Sequence, residues 1–226
     1  MTRSVVAATV AAVFASAAVA QEMPATVDAP AAVPAQEPAC ELHVWPAERV
    51  QSMTTGVLGP GLLNAAIEGG RDQRNRTAMS SALDPEGQAA ALEPLDLPAA
   101  LALPPSRVIL HKEPLDRKTI NKISTRRAPS TSNCYAELMV ADQLFQQDWI
   151  IGRSLRTLFM LRDFGAKSDK PNIYKAWGGN PIKLFPPKEG EDVEAAFREL
   201  GEVFMKNFEE FAANARKSRT ARAAQS

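Results

Sequence analysis

Two short runs of mostly apolar, strand-forming residues predict two strands in the first half of the chain. Residues 40–45 read CELHVW and precede a proline, which cannot continue a strand interior. Residues 107–111 read RVILH, a second short run of strand-forming residues. The Ala- and Leu-rich residues 71–103 between them predict helix with breaks, including a helix start at Asp84 and Pro85.

The centre of the chain predicts a β-hairpin. Residues 134–140 read CYAELMV and alternate in part, and residues 149–163 can return as a long antiparallel strand after a polar turn at 146–148. The apolar residues of 149–163 also fit helical spacing, so a helix is the alternative. Gly152, Thr157 and the short turn favour the strand, because glycine and β-branched residues are weak helix formers.

The last predicted element is an amphipathic helix that begins near residue 193. Its apolar stripe repeats every three and four residues and contains Phe197, Phe204, Phe208 and Phe211. We expect this stripe to pack on the sheet as core, with a partner's groove as the alternative.

Two flanking segments lack such a pattern. Residues 165–190 are rich in Gly, Pro, Lys and Asn and predict a long loop with one short strand at 181–185. Residues 216–226 form a basic, Ala-rich tail that we expect to fray.

Together these elements predict an α+β fold over residues 40–215, as a single domain. The expected architecture is a two-layer sandwich: an antiparallel or mixed sheet, helices on one face, and the long C-terminal amphipathic helix. The strands and helices do not alternate regularly, and no internal repeat is present.

A glycine-punctuated apolar segment at 56–70 has two interpretations. As a contact surface for a partner or a membrane, it would use the apolar side chains of Val57, Leu58, Leu62, Leu63 and Ile67. As a loop and short helix, it would simply pack on the sheet. Its apolar run is too short to span a bilayer.

The first residues predict a cleaved secretory signal peptide over 1–20. Arg3 supplies the positive charge, residues 5–15 form the apolar stretch, and Ala-Val-Ala at 18–20 predicts cleavage after Ala20. A transmembrane anchor is the alternative, but the run is short and rich in Ala. The four prolines in residues 21–39 predict a disordered Pro/Ala-rich spacer. We therefore expect a periplasmic or secreted protein.

The chain has two cysteines, Cys40 and Cys134, and an exported protein would oxidise them to a disulfide. Two separate buried thiols are the alternative. The bridge would tie the first folded segment to a central strand. A lipid anchor on Cys40 is not expected, because the charged, Pro-rich spacer replaces the small apolar box that precedes a lipidated cysteine.

Charge and motifs exclude several classes of function. With 26 basic and 26 acidic residues, the chain lacks the basic balance of a nucleic-acid-binding protein. Neither a zinc-ligand spacing nor a phosphate loop is present, so we expect no metal, cofactor or catalytic site. A basic stretch at 112–127 indicates either a solvated or an anion-binding face. A hydrolase would have to use Ser154, which lies in an incomplete GxSxG pattern, or His43 and His111 on neighbouring strands.

Three stretches together resemble uncharacterised exported proteins of alphaproteobacteria. They are CELHVWP at 40–46, the glycine-rich stretch at 56–67, and the pattern SNCYAEL, GRSLR and RDFG across 132–165. The order of elements is also similar to the small α/β domains of envelope auxiliary lipoproteins of the transport-auxiliary and secretion-assembly type, which differ in carrying a lipid anchor. Neither resemblance supplies catalytic residues.

We therefore expect a non-catalytic binding or auxiliary factor in cell-envelope maintenance or transport, with an envelope protein as its partner. A secreted hydrolase and a peripheral membrane-associated protein are the alternatives.

Overall fold

The computed structural model describes residues 40–55, 62–148, 150, 152–166 and 170–224. The predicted signal peptide (1–20) and spacer (21–39) lie outside the described residues. The strands are β1 (Cys40–Trp45), β2 (Val50–Thr55), β3 (Ser106–Leu110), β4 (Cys134–Asp148), β5 (Gly152–Ala166) and β6 (Asn172–Pro181). The helices are α1 (Leu62–Ala82), α2 (Pro85–Leu92), α3 (Leu97–Ala100), α4 (Arg117–Ile120) and α5 (Val193–Ala223). None of the helices in this described part is long and apolar enough to cross a membrane.

The strands form a mixed sheet in the order β3-β1-β4-β5-β6. β1 is parallel to both of its neighbours, whereas β4, β5 and β6 are antiparallel to one another. β4 is long enough to pair with β1 along its first part and with β2, also in parallel, along its second part. The predicted α+β fold with a mixed sheet is confirmed.

The central hairpin and the disulfide are both present. β4 and β5 pair from Asp148 opposite Gly152 to Cys134 opposite Ala166, so the strand prediction for this segment is correct and the helical alternative is wrong. Cys40 and Cys134 are register partners at the first positions of β1 and β4, with Cα atoms 4.6 Å apart, and their sulfurs are bonded. The bridge joins the first strand to the central strand, as predicted.

One face of the sheet is covered by α1, α2, α3 and α5 and holds the main core. The phenylalanine stripe of α5 packs there: the ring of Phe159 on β5 contacts the rings of Phe204, Phe208 and Phe211, with centroids 5.2–5.7 Å apart. Because these rings lie within the protein, the core interpretation of the stripe is confirmed and a partner's groove is not needed to explain it.

α5 lies unusually close to the sheet at one position. Asn207 of α5 is fully buried and donates from Nδ2 to the carbonyl of Leu155 (2.9 Å) and to Thr157 Oγ1 (3.1 Å). Gly178 of β6 lies directly below it, and a Cβ at this glycine would fall 2.7 Å from the Cα of Asn207. The absence of a side chain at residue 178 therefore allows helix and sheet to meet.

The second face of the sheet is partly covered by residues 111–133, which include the short helix α4. A small apolar cluster forms beneath this segment around Trp45, Ile120, Met139 and Met160. The odd-numbered residues of β1 and the first part of β4 point toward this face, so Glu41, His43 and Trp45 are brought beneath the segment.

A buried carboxylate holds this covering segment in place. Glu137 accepts from Arg162 Nη1 (2.7 Å), from the Tyr135 hydroxyl (2.9 Å) and from the backbone amide of Arg127 (2.7 Å). Burial lowers the pKa of Arg127 and raises that of Tyr135. The basic stretch at 112–127 is thus not simply a solvated face, because Arg127 is largely buried beside Glu137.

The sequence prediction for residues 165–190 is wrong in two respects. The segment predicted as a long loop at 165–190 contains the ten-residue strand β6, which pairs with β5 from Asn172 to Pro181. The short strand predicted at 181–185 is instead irregular, and Arg153 donates to the carbonyls of Lys183 and Phe185 there. Helix α5 continues through Ala223 into the basic segment, and Arg219 forms an ion pair with Asp163.

Candidate functional site

The two histidines lie side by side at the end of β1 and β3. His43 is opposite Ile109 in the parallel register, and His111 directly follows β3 with its amide donating to the carbonyl of Val44 (2.9 Å). His43 Nδ1 and His111 Nε2 are 2.9 Å apart. Because a hydrogen bond between two imidazoles needs one donor and one acceptor, one N–H proton lies between these two ring nitrogens.

Glu41 anchors this pair from the other side of His43. Its Oε2 lies 3.3 Å from His43 Nε2 and accepts from Ser130 Oγ at 2.5 Å, and its Oε1 accepts from Arg107 Nη2 at 2.5 Å. The hydroxyl of Ser130, followed by the guanidinium of Arg107, lowers the pKa of Glu41 to about 2. Glu41 is therefore ionised under ordinary conditions.

The ionised carboxylate sets the direction of the hydrogen bonds. Glu41 favours a proton on His43 Nε2, which leaves His43 Nδ1 to accept from His111 Nε2. The result is a chain from Glu41 through His43 to His111, with His111 Nδ1 as the terminal acceptor nitrogen. This is the tautomer assignment that satisfies both contacts when the rings are neutral.

Aromatic rings surround the pair. Trp45 stacks on His111 with centroids 4.1 Å apart and an interplanar angle of 4°, and Tyr135 lies 4.8 Å from His43. Burial lowers the pKa of His111, and the neighbouring His43 lowers it further. His111 is thus a neutral, partly exposed base at the edge of an otherwise buried cluster.

His111 also lines a surface groove of about 510 Å³ between α2 and the end of β3. The rim of the groove carries Asp84, Glu86 and Glu93 from the α2 segment, and Lys112 from the β3 side. Asp84 caps α2 by accepting from the amide of Gly87 at 2.7 Å, so the predicted helix start is confirmed. This arrangement places one base beside a groove whose charged side chains are mostly acidic.

The structure does not bring Ser154 to the histidines. Ser154 is opposite Gln146 on β4, whereas His43 is opposite Glu137, nine positions earlier on the same strand and so about 30 Å away. Ser130 is close to the cluster, but it donates to Glu41 rather than to an imidazole. The Ser–His–carboxylate order that activates a serine nucleophile is therefore not formed by either serine.

Sequence reasoning found the histidine pair and missed the residues that orient it. Glu41, His43 and Trp45 alternate along β1, and that alternation was the available signal for a shared face. Ser130 and Arg107 come from distant segments, so only the tertiary structure reveals them. Within the described ranges, no group of three or more His, Cys, Asp or Glu side chains is arranged to hold a metal ion.

The residues predicted to contact a partner or membrane fall only partly within the structure. Val57 and Leu58 lie outside the described residues. Leu62, Leu63 and Ile67 belong to α1, although their side chains also lie outside the described part. The segment leaves β2 at Thr55, which is opposite Asp148 at the hairpin end of β4.

Exposed aliphatic side chains gather at the same end of the sheet. Among the described residues, Ile150 in the turn between β4 and β5 is 79 % exposed, and Met53, Leu184 and Val193 are also exposed. Met53 is opposite Gln146, and the loop carrying Leu184 is held by Arg153 and by Glu199 of α5. We call these four residues, Met53, Ile150, Leu184 and Val193, the apolar end.

The outer edge of β6 is a second exposed feature. The described residues contain no strand on the side of β6 that faces away from β5. The amide of Gly179 points to that side and donates to Glu210 Oε2 at 2.9 Å. Backbone amides point to opposite sides at successive residues of a strand, so the amides of Ile173, Lys175 and Trp177 point to the same outer side as that of Gly179.

Neither a protein-family model nor a curated protein matches the chain. Among solved structures, one described as an uncharacterized protein aligns over 79% of this chain and 90% of its own, with 13% identity and a TM-score of 0.24. So low a score supports no transfer of fold or function.

Proposed function

We propose that this chain is an exported, non-catalytic auxiliary factor of the cell envelope, and that it binds an envelope protein along the outer edge of β6. The observation that carries the proposal is the outer side of this ten-residue strand, where no strand among the described residues pairs with β6. A partner's strand can add to such an edge through backbone hydrogen bonds, with side-chain contacts giving specificity.

β6 is held in place by hydrogen bonds to both β5 and α5. β6 is anchored to β5 along its full length, and Asn180 Nδ2 donates to Asn207 Oδ1 of α5 at 2.8 Å. The sequence-predicted binding edge was that of the hairpin itself, but β4 and β5 both have neighbours on each side, so it is covered. The available edge is one strand further out, on β6.

The disulfide supports the exported location. Cys40 and Cys134 are bonded, and such bonds persist in oxidising compartments such as the periplasm. A test compares the thiol state of the chain in fractionated cells by alkylation and mass measurement. An oxidised pair recovered in the periplasmic or secreted fraction supports the proposal, and reduced thiols in the cytoplasmic fraction contradict it.

Strand addition is tested with a proline at a chosen position. Lys175→Pro removes one outward amide and leaves the hydrogen bonds between β5 and β6 intact, whereas Lys175→Thr keeps the amide and serves as the matched control. A photo-crosslinking amino acid at residue 173 in living cells reports the contact. We expect an identified envelope protein to crosslink in the Thr variant and to be lost in the Pro variant.

A crosslinker at Glu202, on the exposed side of α5, gives the background. Adducts that are equal at residues 173 and 202, or unchanged by the proline, would contradict strand addition at β6. Thermal unfolding of both variants checks that the proline has not disrupted the sheet.

A secreted hydrolase is the second candidate, and the chain from Glu41 to His111 beside the groove favours it. In that function His111 would act as a general base on a water molecule, with Glu41 and His43 orienting it. Hydrolysis of a panel of chromogenic esters, phosphates and glycosides tests this candidate. Turnover that disappears in His111→Gln would support it, and the absence of turnover across the panel counts against it.

A further inference from the structure

We infer that His43 and His111 form a pH-operated gate on the groove beside α2. At neutral pH the ring of His111 is bonded to His43. In weak acid the ring leaves His43 and turns toward the carboxylates that line the groove. This gate is separate from the edge of β6 and does not depend on the function proposed for that edge.

The two rings can hold one added proton without losing their bond, but not two. When both are neutral, His111 Nε2 donates to His43 Nδ1, and His43 Nε2 donates to Glu41. The first added proton is carried by His43, beside the carboxylate of Glu41, and His111 Nε2 then becomes the acceptor. A second proton leaves no acceptor between nitrogens that lie 2.9 Å apart, and the two positive rings repel each other.

The surroundings decide which ring has to leave. His43 is only 4 % exposed and lies between the carboxylate of Glu41 and the ring of Tyr135. Glu41 stays ionised in weak acid, because its pKa is lowered to about 2, chiefly by the hydroxyl of Ser130. It therefore keeps a positive His43 in place, and the partly exposed His111 is the ring that moves. The charged or titratable groups around His43 are Glu41, Tyr135, Arg107, which is paired with Glu41, and Arg126, which lies over the ring of Tyr135.

The groove offers a positive His111 both space and opposite charge. It has a volume of about 510 Å³, and His111 shares its lining with the carboxylates of Asp84, Glu86 and Glu93. The backbone of His111 need not move, because its amide donates to the carbonyl of Val44 at 2.9 Å. Rotation about the side-chain bonds is enough to turn the ring, and side chains change between such rotamers readily at a surface.

The charges that face His111 favour a neutral ring in the bonded position. Burial, followed by the neighbouring His43, lowers the pKa of His111 there, whereas Glu113 raises it. The ring of Trp45 stacks on it with centroids 4.1 Å apart and contributes to this burial. In the groove the like charge of Lys112 is outnumbered by the three carboxylates. The ring therefore gains both a proton and a counter-charge when it leaves His43.

The gate changes what the groove presents. At neutral pH the groove is open, and its carboxylates are available to a cationic ligand. In acid the imidazolium of His111 takes the place of such a ligand beside those carboxylates. Departure of the ring also uncovers one face of Trp45, which is buried at neutral pH.

The test follows both rings by NMR in the full chain with its disulfide intact. The chain has 2 histidines, so isotopically labelled histidine gives two imidazoles, which His111→Gln assigns. We expect the rings to take up their protons in two separate steps between about pH 8 and pH 4.5. The nuclear Overhauser contact between the rings of His111 and Trp45 should survive the first step and disappear with the second. Far-UV circular dichroism should stay unchanged through both steps.

Two double variants test the role of the groove. Glu86→Gln with Glu93→Gln removes two receiving carboxylates and should lower the midpoint of the second step by about 0.5 pH unit. Glu202→Gln with Glu209→Gln removes two exposed carboxylates of α5 and should leave the midpoint unchanged.

Three outcomes overturn the gate. They are protonation of His111 with its contact to Trp45 retained, loss of the contact only when the whole chain unfolds, and equal midpoints in the two double variants. Crosslinking at residue 173 reports on the edge of β6 independently, so the gate can fail while the proposed function stands.

Discussion

Glu137 on β4 and Arg162 on β5 are register partners whose charged groups meet 2.7 Å apart inside the second face of the sheet. Neither side chain is more than 2 % exposed. Arg162 uses its other terminal nitrogen to bond the carbonyls of Ser124 and Thr125, so the pair connects the hairpin to the covering segment. The interaction thus stabilises the surface on which the histidine cluster is built.

This geometry predicts unequal costs for the two partners. Glu137→Leu leaves two buried guanidinium groups, Arg162 and Arg127, without their carboxylate, whereas Arg162→Met leaves Glu137 bonded to Tyr135 and to the amide of Arg127. We expect Glu137→Leu to lower the free energy of unfolding by about 3–5 kcal/mol and Arg162→Met to lower it by less. Urea denaturation of both variants measures the difference, and equal losses would contradict the asymmetry.

The disulfide should contribute strongly because it closes a long loop. Cys40 and Cys134 are separated by 94 positions. A loop of this length corresponds to about 4–5 kcal/mol in the chain-entropy model. We expect the double variant Cys40→Ser, Cys134→Ser to unfold at a lower denaturant concentration than the natural chain. Reductant should lower the stability of the natural chain and leave that of the double variant unchanged. If reductant does not change the denaturant midpoint of the natural chain, the disulfide does not make this contribution.

Local patterns predicted the elements whose side chains alternate or repeat by themselves. The strand at 40–45, the hairpin and the phenylalanine stripe of α5 all follow from periodicity within one segment. β6 could not be predicted in this way, because Gly178, Gly179 and Asn180 are turn-forming residues. Gly178 is needed in the strand only because α5 lies against it, and that contact involves a residue distant in sequence.

The sequence predicts the histidine pair of the candidate site but not the residues that orient it. The meeting of His43 and His111 required only that their strands be neighbours, and β1 and β3 are parallel partners. The roles of Ser130 and Arg107 depend on how residues 111–133 cross the second face and on strand register. Long-range pairing of this kind leaves no periodic signal in one sequence.

Gln143 offers a prediction of increased stability. Its side chain is fully buried on β4, and both of its amide atoms lack a hydrogen-bond partner within the described residues. A buried unsatisfied amide costs about 1–3 kcal/mol. Gln143→Met keeps the length of the side chain and removes the polar atoms, so we expect it to raise the unfolding midpoint in urea. Gln143→Ala, which leaves a cavity, is the control and should lower it.

His111 should make stability depend on pH in the weakly acidic range. Its pKa is lowered in the folded state, mainly by burial and then by His43, relative to about 6.5 in the unfolded chain. Because the folded value is the lower one, its contribution is complete above pH 6.5 and is lost as the pH falls. We expect the urea midpoint to fall between pH 7.5 and pH 5.5, and His111→Gln to reduce that fall. If the urea midpoint of the variant falls with pH as steeply as that of the natural chain, groups other than His111 cause the pH dependence.

Gly178 and Gly179 are adjacent in β6 but should respond differently to an added methyl group. A Cβ at Gly178 would lie 2.7 Å from the backbone Cα and carbonyl carbon of Asn207, and helix backbone cannot give way without moving α5. A Cβ at Gly179 would meet the flexible side chain of Arg156 at 3.4 Å, an ordinary contact distance. Displacement of α5 would also weaken the bonds from Asn207 to Leu155 and Thr157.

We therefore expect Gly178→Ala to lower the free energy of unfolding by about 1–3 kcal/mol, the usual cost of overpacking. Gly179→Ala should be near neutral or slightly stabilising, because alanine restricts the unfolded chain. Thermal and urea unfolding of the two single variants compare them directly. Equal stability would mean that α5 does not lie against β6 at residue 178, and the packing of the C-terminal helix would have to be revised.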